Sequence, residues 1–195
     1  AQSCDVFFYE LAKRLGIEKI SETAKLLENS FRLINISFVN ELSMLCQRLS
    51  IDINSVIAAA STKPYGFMAF YPSIGVGGHC IPIYPQFYLW NDPAATIVDA
   101  ARQANFGMPR YGVDLLAKVH GNLQGQTIGV FGASYRGGVK ETAFSGVFDV
   151  VAELQNKGAL VKVHDPMYLD DELVGLGFTP LHYGESLDAA VFQAD

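Results

Sequence analysis

Thr127-Ile128-Gly129-Val130-Phe131-Gly132-Ala133-Ser134-Tyr135-Arg136-Gly137-Gly138 opens the part of the chain whose reading decides the architecture. The uncharged run Thr127 to Phe131 ending on glycine predicts a short buried strand and a turn. An amphipathic stretch from about Ser145 to Lys157 closes at Gly158, a helix with a glycine stop. A second run, Leu160 to His164, ends at Asp165-Pro166 and predicts another strand. Strand, glycine turn, helix, strand and acid make half of a doubly wound α/β unit. The turn is not GxGxxG, so the dinucleotide fingerprint is absent here. Arg136 and Lys140 in that turn suit a phosphate, or are simply solvated. Weaker strand signals lie at Thr179 to Leu181 and at Ala189 to Phe192.

Upstream the pattern is helical, with a junction expected at Asn122 to Gln126. Ala24, Leu27, Phe31, Ile34, Phe38, Leu42 and Leu45 recur every three or four residues, which predicts one long helix over Glu22 to Leu49. Ser21 is its expected N-cap, with Glu22 suited to the positive helix end. Before it, Cys4 to Leu15 reads as a short helix closed by Gly16, and Glu18 to Ile20 as extended. A shorter helix is expected over Ile53 to Ala60. Thr62 to Pro85, rich in glycine, proline and aromatics, reads as a long ordered loop, a feature that is usually functional. Asp92-Pro93 predicts a new helix start, running to about Asn105, broken near Gly107 and Pro109, and resuming to about Leu123.

The composition narrows the classes. Of 195 residues, 50% are hydrophobic and 17% charged, which excludes disordered, collagen-like and coiled-coil proteins. No apolar run is long enough for a membrane span. A net charge of −6 argues against a nucleic-acid partner. Cys4, Cys46 and Cys80 lack CxxC spacing, so neither a disulfide framework nor a metal site is expected. No signal-peptide pattern opens the chain, and a reducing, cytoplasmic setting is expected.

Two constellations carry candidate chemistry. In Phe70-Tyr71-Pro72-Ser73-Ile74-Gly75-Val76-Gly77-Gly78-His79-Cys80-Ile81-Pro82, glycines ahead of a cysteine let the backbone approach a ligand closely while a thiol faces it. A tight turn with an inert structural cysteine fits the same string. His79 is poorly placed as a base for Cys80, because adjacent side chains diverge. Lys25 and Asn29, four residues apart, share a helix face and form either an electrostatic clamp or a solvated surface.

With Ala24-Lys25-Leu26-Leu27-Glu28-Asn29-Ser30-Phe31-Arg32, Asn35-Ile36, Asn40-Glu41-Leu42, Thr62-Lys63-Pro64-Tyr65-Gly66-Phe67-Met68, Gly75 to Pro82 and His164-Asp165-Pro166, the chain resembles the UDP-glucose/GDP-mannose dehydrogenase family, in particular its UDP-N-acetylhexosamine 6-dehydrogenase branch. The resemblance implies an α-helical central dimerisation domain followed by a partial α/β Rossmann-like domain. Residues 1–20 would end an N-terminal NAD domain, 21–123 form the helical domain, which dimerises through its long helix, and 124–195 form part of a nucleotide-sugar-binding domain. The NAD fingerprint and a catalytic glutamate would lie upstream of Ala1, so NAD is the implied cofactor with its site mostly outside this chain.

The implied reaction takes the C6 alcohol of a UDP-N-acetylhexosamine or UDP-hexose to the acid, for surface-polysaccharide synthesis. Cys80 would be the nucleophile, with Lys25 and Asn29 stabilising the oxyanion and positioning water. Phe70, Gly75, Gly77, Gly78, Tyr135 and Arg136 would bind the substrate. Arg136 stands where the family carries lysine, and keeps the charge. Two departures stand out: Tyr84 replaces a family aspartate, and Glu141-Thr142-Ala143-Phe144-Ser145 replaces an acidic-Thr-Arg-Glu-Ser string. A noncatalytic nucleotide-sugar-binding or dimerisation module is the alternative.

Overall fold

The computed structural model describes residues 18–182. Its spine, α1 (Glu18–Arg48), is one helix of 31 residues, about 46 Å long at about 1.5 Å per residue. It begins earlier than expected. Glu18 to Ile20, expected extended, are helical, and Ser21 lies inside the helix rather than capping it. No glycine or proline stands there to stop the first turn, and Thr23 bonds back to the Lys19 carbonyl. The helix expected at Cys4 to Leu15 and the strand at Ala189 to Phe192 lie outside the described residues. Next comes α2 (Ile53–Ser61), capped by Asp52, whose carboxylate accepts the N–H groups of Asn54 and Ser55.

Residues 62–79 carry no helix or strand, but the expected loop stops there and not at Pro85. Cys80 begins α3 (Cys80–Asn91). Pro82 falls in the first turn, where its missing N–H has no helical acceptor to lose. Pro85 does forfeit a bond, yet both prolines are buried, so packing holds the helix. Asp92 closes α3 instead of opening the next helix. That helix, α4 (Thr96–His120), runs unbroken through Gly107 and Pro109. Pro109 and its neighbour Met108 are buried, and burial of one face sustains a helix that local propensity would break.

The helices α1, α3 and α4 pack on one another, with α2 against α1. Ser37 Oγ donates to the Ala101 carbonyl at 2.7 Å, a buried tie between α1 and α4. Leu33, Val39 and Cys46 face inward from α1, while Ile20, Leu27, Phe31, Phe38 and Leu45 stand exposed. Among the described residues, no helix is long and apolar enough to cross a membrane.

The α/β unit follows as read. β1 (Thr127–Phe131) and β2 (Leu160–His164) pair in parallel, Thr127 opposite Leu160 and Phe131 opposite His164. Between them lies α5 (Val147–Asn156), and after them the short α6 (Asp170–Gly175). The signal at Thr179 to Leu181 yields one bridge, Val163 with Pro180. Val151 and Leu154 of α5 and Val161 and Val163 of β2 form the core with Leu173 and Phe178. Val113 of α4 and Leu123 join the same core, so α4 runs from the helical layer into the α/β layer.

Candidate active site

The approach to Cys80 is held from both sides. Asn40 on α1 accepts the Ser73 N–H through Oδ1 at 2.8 Å. Asn105 on α4 accepts the Val76 N–H through Oδ1, also at 2.8 Å. Both asparagines are buried, Asn40 at 0% and Asn105 at 5% exposure. Beyond this grip, Gly78 donates to the Ala143 carbonyl at 2.8 Å. A Cβ on Gly77 would sit 2.5 Å from the Phe144 carbonyl oxygen and 2.7 Å from Tyr135 Cβ, a contact only glycine permits. Gly78, at φ +86°, lies under the Tyr135 ring, where a Cβ would stand 3.0 Å from Cε2. These two glycines therefore press the loop onto the turn after β1. Phe144, which supplies that carbonyl, is itself left-handed at φ 49°.

Cys80 emerges from this loop exposed, as the first residue of α3. Its place at the N-terminus of a helix faces any charge developing on the sulfur toward the free N–H groups of the first turn. Cys46 is buried in α1.

Lys25 reaches the same helix. Its Nζ lies 5.9 Å from the centroid of the Tyr84 ring and 3.7 Å from Glu28 Oε2. Tyr84 follows Cys80 by four residues, one turn along the same face of α3. Asn29 is buried, and its Nδ2 donates to the Lys25 carbonyl at 2.8 Å. At Tyr84, therefore, an aromatic face and not a carboxylate meets the ammonium. Such contacts are worth about 0.5–1 kcal/mol at an exposed site.

The turn after β1 separates its two bases. Lys140 is tied to Glu172 at 2.6 Å and lies over Tyr168, 4.9 Å from the centroid. Its ammonium, with the Leu169 N–H, holds the Glu172 carboxyl below its ordinary value. Arg136 is exposed over the Tyr135 ring, 5.8 Å from the centroid, and among the described residues no carboxylate pairs with it. Only Arg136 is left to meet an anion here.

The acid closing the strand–helix–strand unit is also spoken for. Asp165 accepts the N–H groups of Ala133 at 2.8 Å, Ser134 at 3.3 Å and Met167 at 2.9 Å. Burial alone would raise its carboxyl, but the donors at Ala133, Met167 and Ser134 hold it below the ordinary value. Burial pushes the neighbouring His164 down, against the opposing pull of Asp165 and Asp170. The unit does not fit a dinucleotide: the fingerprint is absent, and the acid that would meet a ribose is consumed by backbone.

Of the remaining candidates, Phe70 meets Phe31 edge-on, centroids 6.0 Å apart. It lines an apolar groove of about 540 Å³ with Phe31, Phe38 and Met68, between α1, α2 and the loop. The structure thus gathers Cys80, Gly77, Gly78 and Tyr135 around one loop, with Arg136 beside Tyr135. It brings Lys25 to α3 through Tyr84, and it sets Phe70 against α1. The grip of Asn40 and Asn105 was not read from sequence. Asn40 stands in the sequence only within the Asn40-Glu41-Leu42 string of the resemblance, and the buried side of α1 carries Asn29, Ser30 and Ser37 besides it.

The long helical layer followed by a β–α–β unit is the architecture this chain shares with solved nucleotide-sugar dehydrogenases. Residues 19–106 match the family described as UDP-glucose/GDP-mannose dehydrogenase, central domain, and the chain belongs to the UDP-glucose/GDP-mannose dehydrogenase family. It is 33% identical over 177 residues to a UDP-N-acetyl-D-mannosamine dehydrogenase of Methanocaldococcus jannaschii, covering 91% of this chain and 39% of that protein. It is 34% identical over 175 residues to a UDP-N-acetyl-D-glucosamine 6-dehydrogenase of Pseudomonas aeruginosa, covering 84% of this chain and 40% of that one. A solved UDP-D-ManNAc dehydrogenase from Pyrococcus horikoshii superposes with a TM-score of 0.74 at 29% identity, over 92% of this chain and 40% of that chain. The chain therefore spans well under half the length of these relatives.

Proposed function

We propose that this chain supplies the thiol and part of the sugar-nucleotide site of an NAD-dependent nucleotide-sugar 6-dehydrogenase. The observation that carries the reading is Cys80, exposed at the head of α3 and delivered by a loop pressed onto Tyr135. UDP-N-acetylhexosamines are the favoured substrates, following the relatives' names, and Arg136 offers a planar cation to a diphosphate.

In this reading the Cys80 thiol adds to the C6 aldehyde, and its proton moves to the carbonyl oxygen to give a thiohemiacetal. The two-electron oxidised form is a thioester, whose hydrolysis releases the uronic acid and restores the thiol. Lys25 lends positive charge to the oxygen that becomes anionic in these steps, and Asn29 orients the water. NAD is the oxidant implied by the resemblance. Since the described turn does not fit it, the chemistry assigned to this chain is confined to thiol, cation and amide.

The exposed apolar stripe of α1, with Leu27 68% and Phe38 64% exposed, supports assembly through that helix as a homodimer, because contiguous exposed apolar surface marks an interaction site. Tyr84 in place of an acid is the feature that favours a noncatalytic, substrate-binding module instead. One experiment separates the two readings. In an enzyme completed with an NAD-binding domain, two equivalents of NAD are reduced per UDP-sugar, and Cys80→Ser abolishes acid formation. Wild-type turnover in that variant would sink the catalytic reading. On the chain alone, UDP-sugars should raise Tm while NAD does not; selective stabilisation by NAD would contradict the assignment.

A further inference from the structure

We infer that Asn40 and Asn105 are positioning residues for the Cys80 thiol, a role that rests on the dehydrogenase reading and extends it to two residues outside the reacting groups. Each offers a side-chain oxygen to a backbone N–H of the loop, Asn40 to Ser73 and Asn105 to Val76, both at 2.8 Å. The two come from different helices, α1 and α4, which are themselves joined by the buried Ser37 to Ala101 bond. The loop is thus referenced to the helical layer before Gly77 and Gly78 meet the α/β unit. Four residues after Val76 the chain reaches Cys80.

Asn40 holds the loop while carrying an unpaired amide donor. It is fully buried, and its Nδ2 has no partner among the described residues. A buried donor without an acceptor is destabilising, and an apolar residue of similar size would remove it. Retaining an amide there keeps one thing an apolar residue cannot supply, the acceptor for Ser73. Local rules broken without gain in packing gather where a site is being held.

The test uses the chain as it is. Alkylation of Cys80 by iodoacetamide is followed by peptide mass spectrometry, with buried Cys46 as internal control, alongside hydrogen exchange of the loop amides. In Asn105→Ala, exchange at Val76 and Gly78 is expected to accelerate at least tenfold and the Cys80 alkylation rate to change at least threefold. Asn105→Asp, which keeps an acceptor oxygen, should bring loop exchange back to within twofold of the parent, while its charge lowers Cys80 alkylation. Asn40→Leu should accelerate exchange at Ser73 and alter Cys80 alkylation with no matching loss of Tm. Asn40→Asp serves the same purpose as a rescue. In the completed enzyme, Asn105→Ala should lower kcat at least tenfold while KM for the sugar moves less than threefold.

A fall in Tm with unchanged loop exchange and unchanged Cys80 alkylation would make both residues merely structural and overturn the proposal. Equal acceleration of loop exchange in the alanine and aspartate variants would do the same. If Cys80→Ser leaves turnover intact, the dehydrogenase reading fails, while exchange and alkylation still report the grip, since neither needs turnover.

Discussion

Two backbone turns in this molecule are held by side-chain oxygens, and they use opposite chemistry. The loop before Cys80 is gripped by neutral amides, Asn40 and Asn105. The turn after β1 is gripped by one carboxylate, Asp165, which takes the N–H groups of Ala133 and Ser134 there and that of Met167 in its own turn. A carboxylate is the stronger acceptor, roughly doubling a neutral hydrogen bond, but it brings a charge and a titration. In the α/β unit that charge is absorbed by converging donors. Beside a thiol it would repel the developing sulfur anion, and the amides avoid this. The difference teaches that the two turns are tuned for different ends, one for holding strength and the other for holding without charge.

The largest effect is expected from Asp165→Ala, which orphans the buried N–H of Ala133 and the part-buried N–H groups of Ser134 and Met167. A loss of about 3 kcal/mol follows from leaving buried donors unpaired. That corresponds to a Tm drop of about 6–12 °C for a chain of this size, read by calorimetry. Its equal in a single amide variant of the Cys80 loop would erase the contrast in strength.

Gly77→Ala comes next. Its Cβ would meet the Phe144 carbonyl and Tyr135 Cβ, backbone and a side-chain root that have little room to yield. A cost of about 2 kcal/mol is expected from overpacking, measured by urea denaturation. Full tolerance would mean that the loop does not rest on the turn.

Acid sharpens the comparison further. A carboxyl held below its ordinary value in the fold takes up its proton at lower pH than in the unfolded chain. Its contribution is therefore complete above the ordinary carboxylate range and is lost as pH falls through the folded value. Asp165→Asn should flatten the stability profile in that acid window, while Asn40 and Asn105 variants leave its shape unchanged. Thermal melts from pH 7 down to about pH 3 would decide this. The smallest effect belongs to Lys140→Ala, since the pair with Glu172 is half exposed and such pairs count for little. Its Tm should stay within about 2 °C of the parent.

The strands were legible to the residue, because short runs rich in β-branched residues and stopped by glycine or Asp-Pro leave little latitude. The spine was legible for the same reason in the helical period. What failed involves proline and distance. Pro82 and Pro85 read as loop residues, although the first turn of a helix accepts one and burial compensates the other, so Cys80 was expected in a loop and stands at a helix head. Pro109 and Asp92-Pro93 misled in the same way. The bases of the turn looked alike until Glu172, far along the chain, took Lys140. Asn40, quoted only within a resemblance string, and Asn105 stayed hidden as anchors because their partners, Ser73 and Val76, lie 33 and 29 residues away along the chain.

One consequence of the long helix concerns phase. Asn29 and Asn40 are eleven residues apart on α1, three turns at about 3.6 residues each, or about 16 Å of rise. A single rod therefore carries the Lys25–Asn29 pair and the loop anchor on nearly one line. Deleting one residue between them would swing the two sets about 100° out of register, whereas removing a whole repeat of the helix would keep their bearing and change only their separation. What α1 encodes for the thiol is an angle as much as a length.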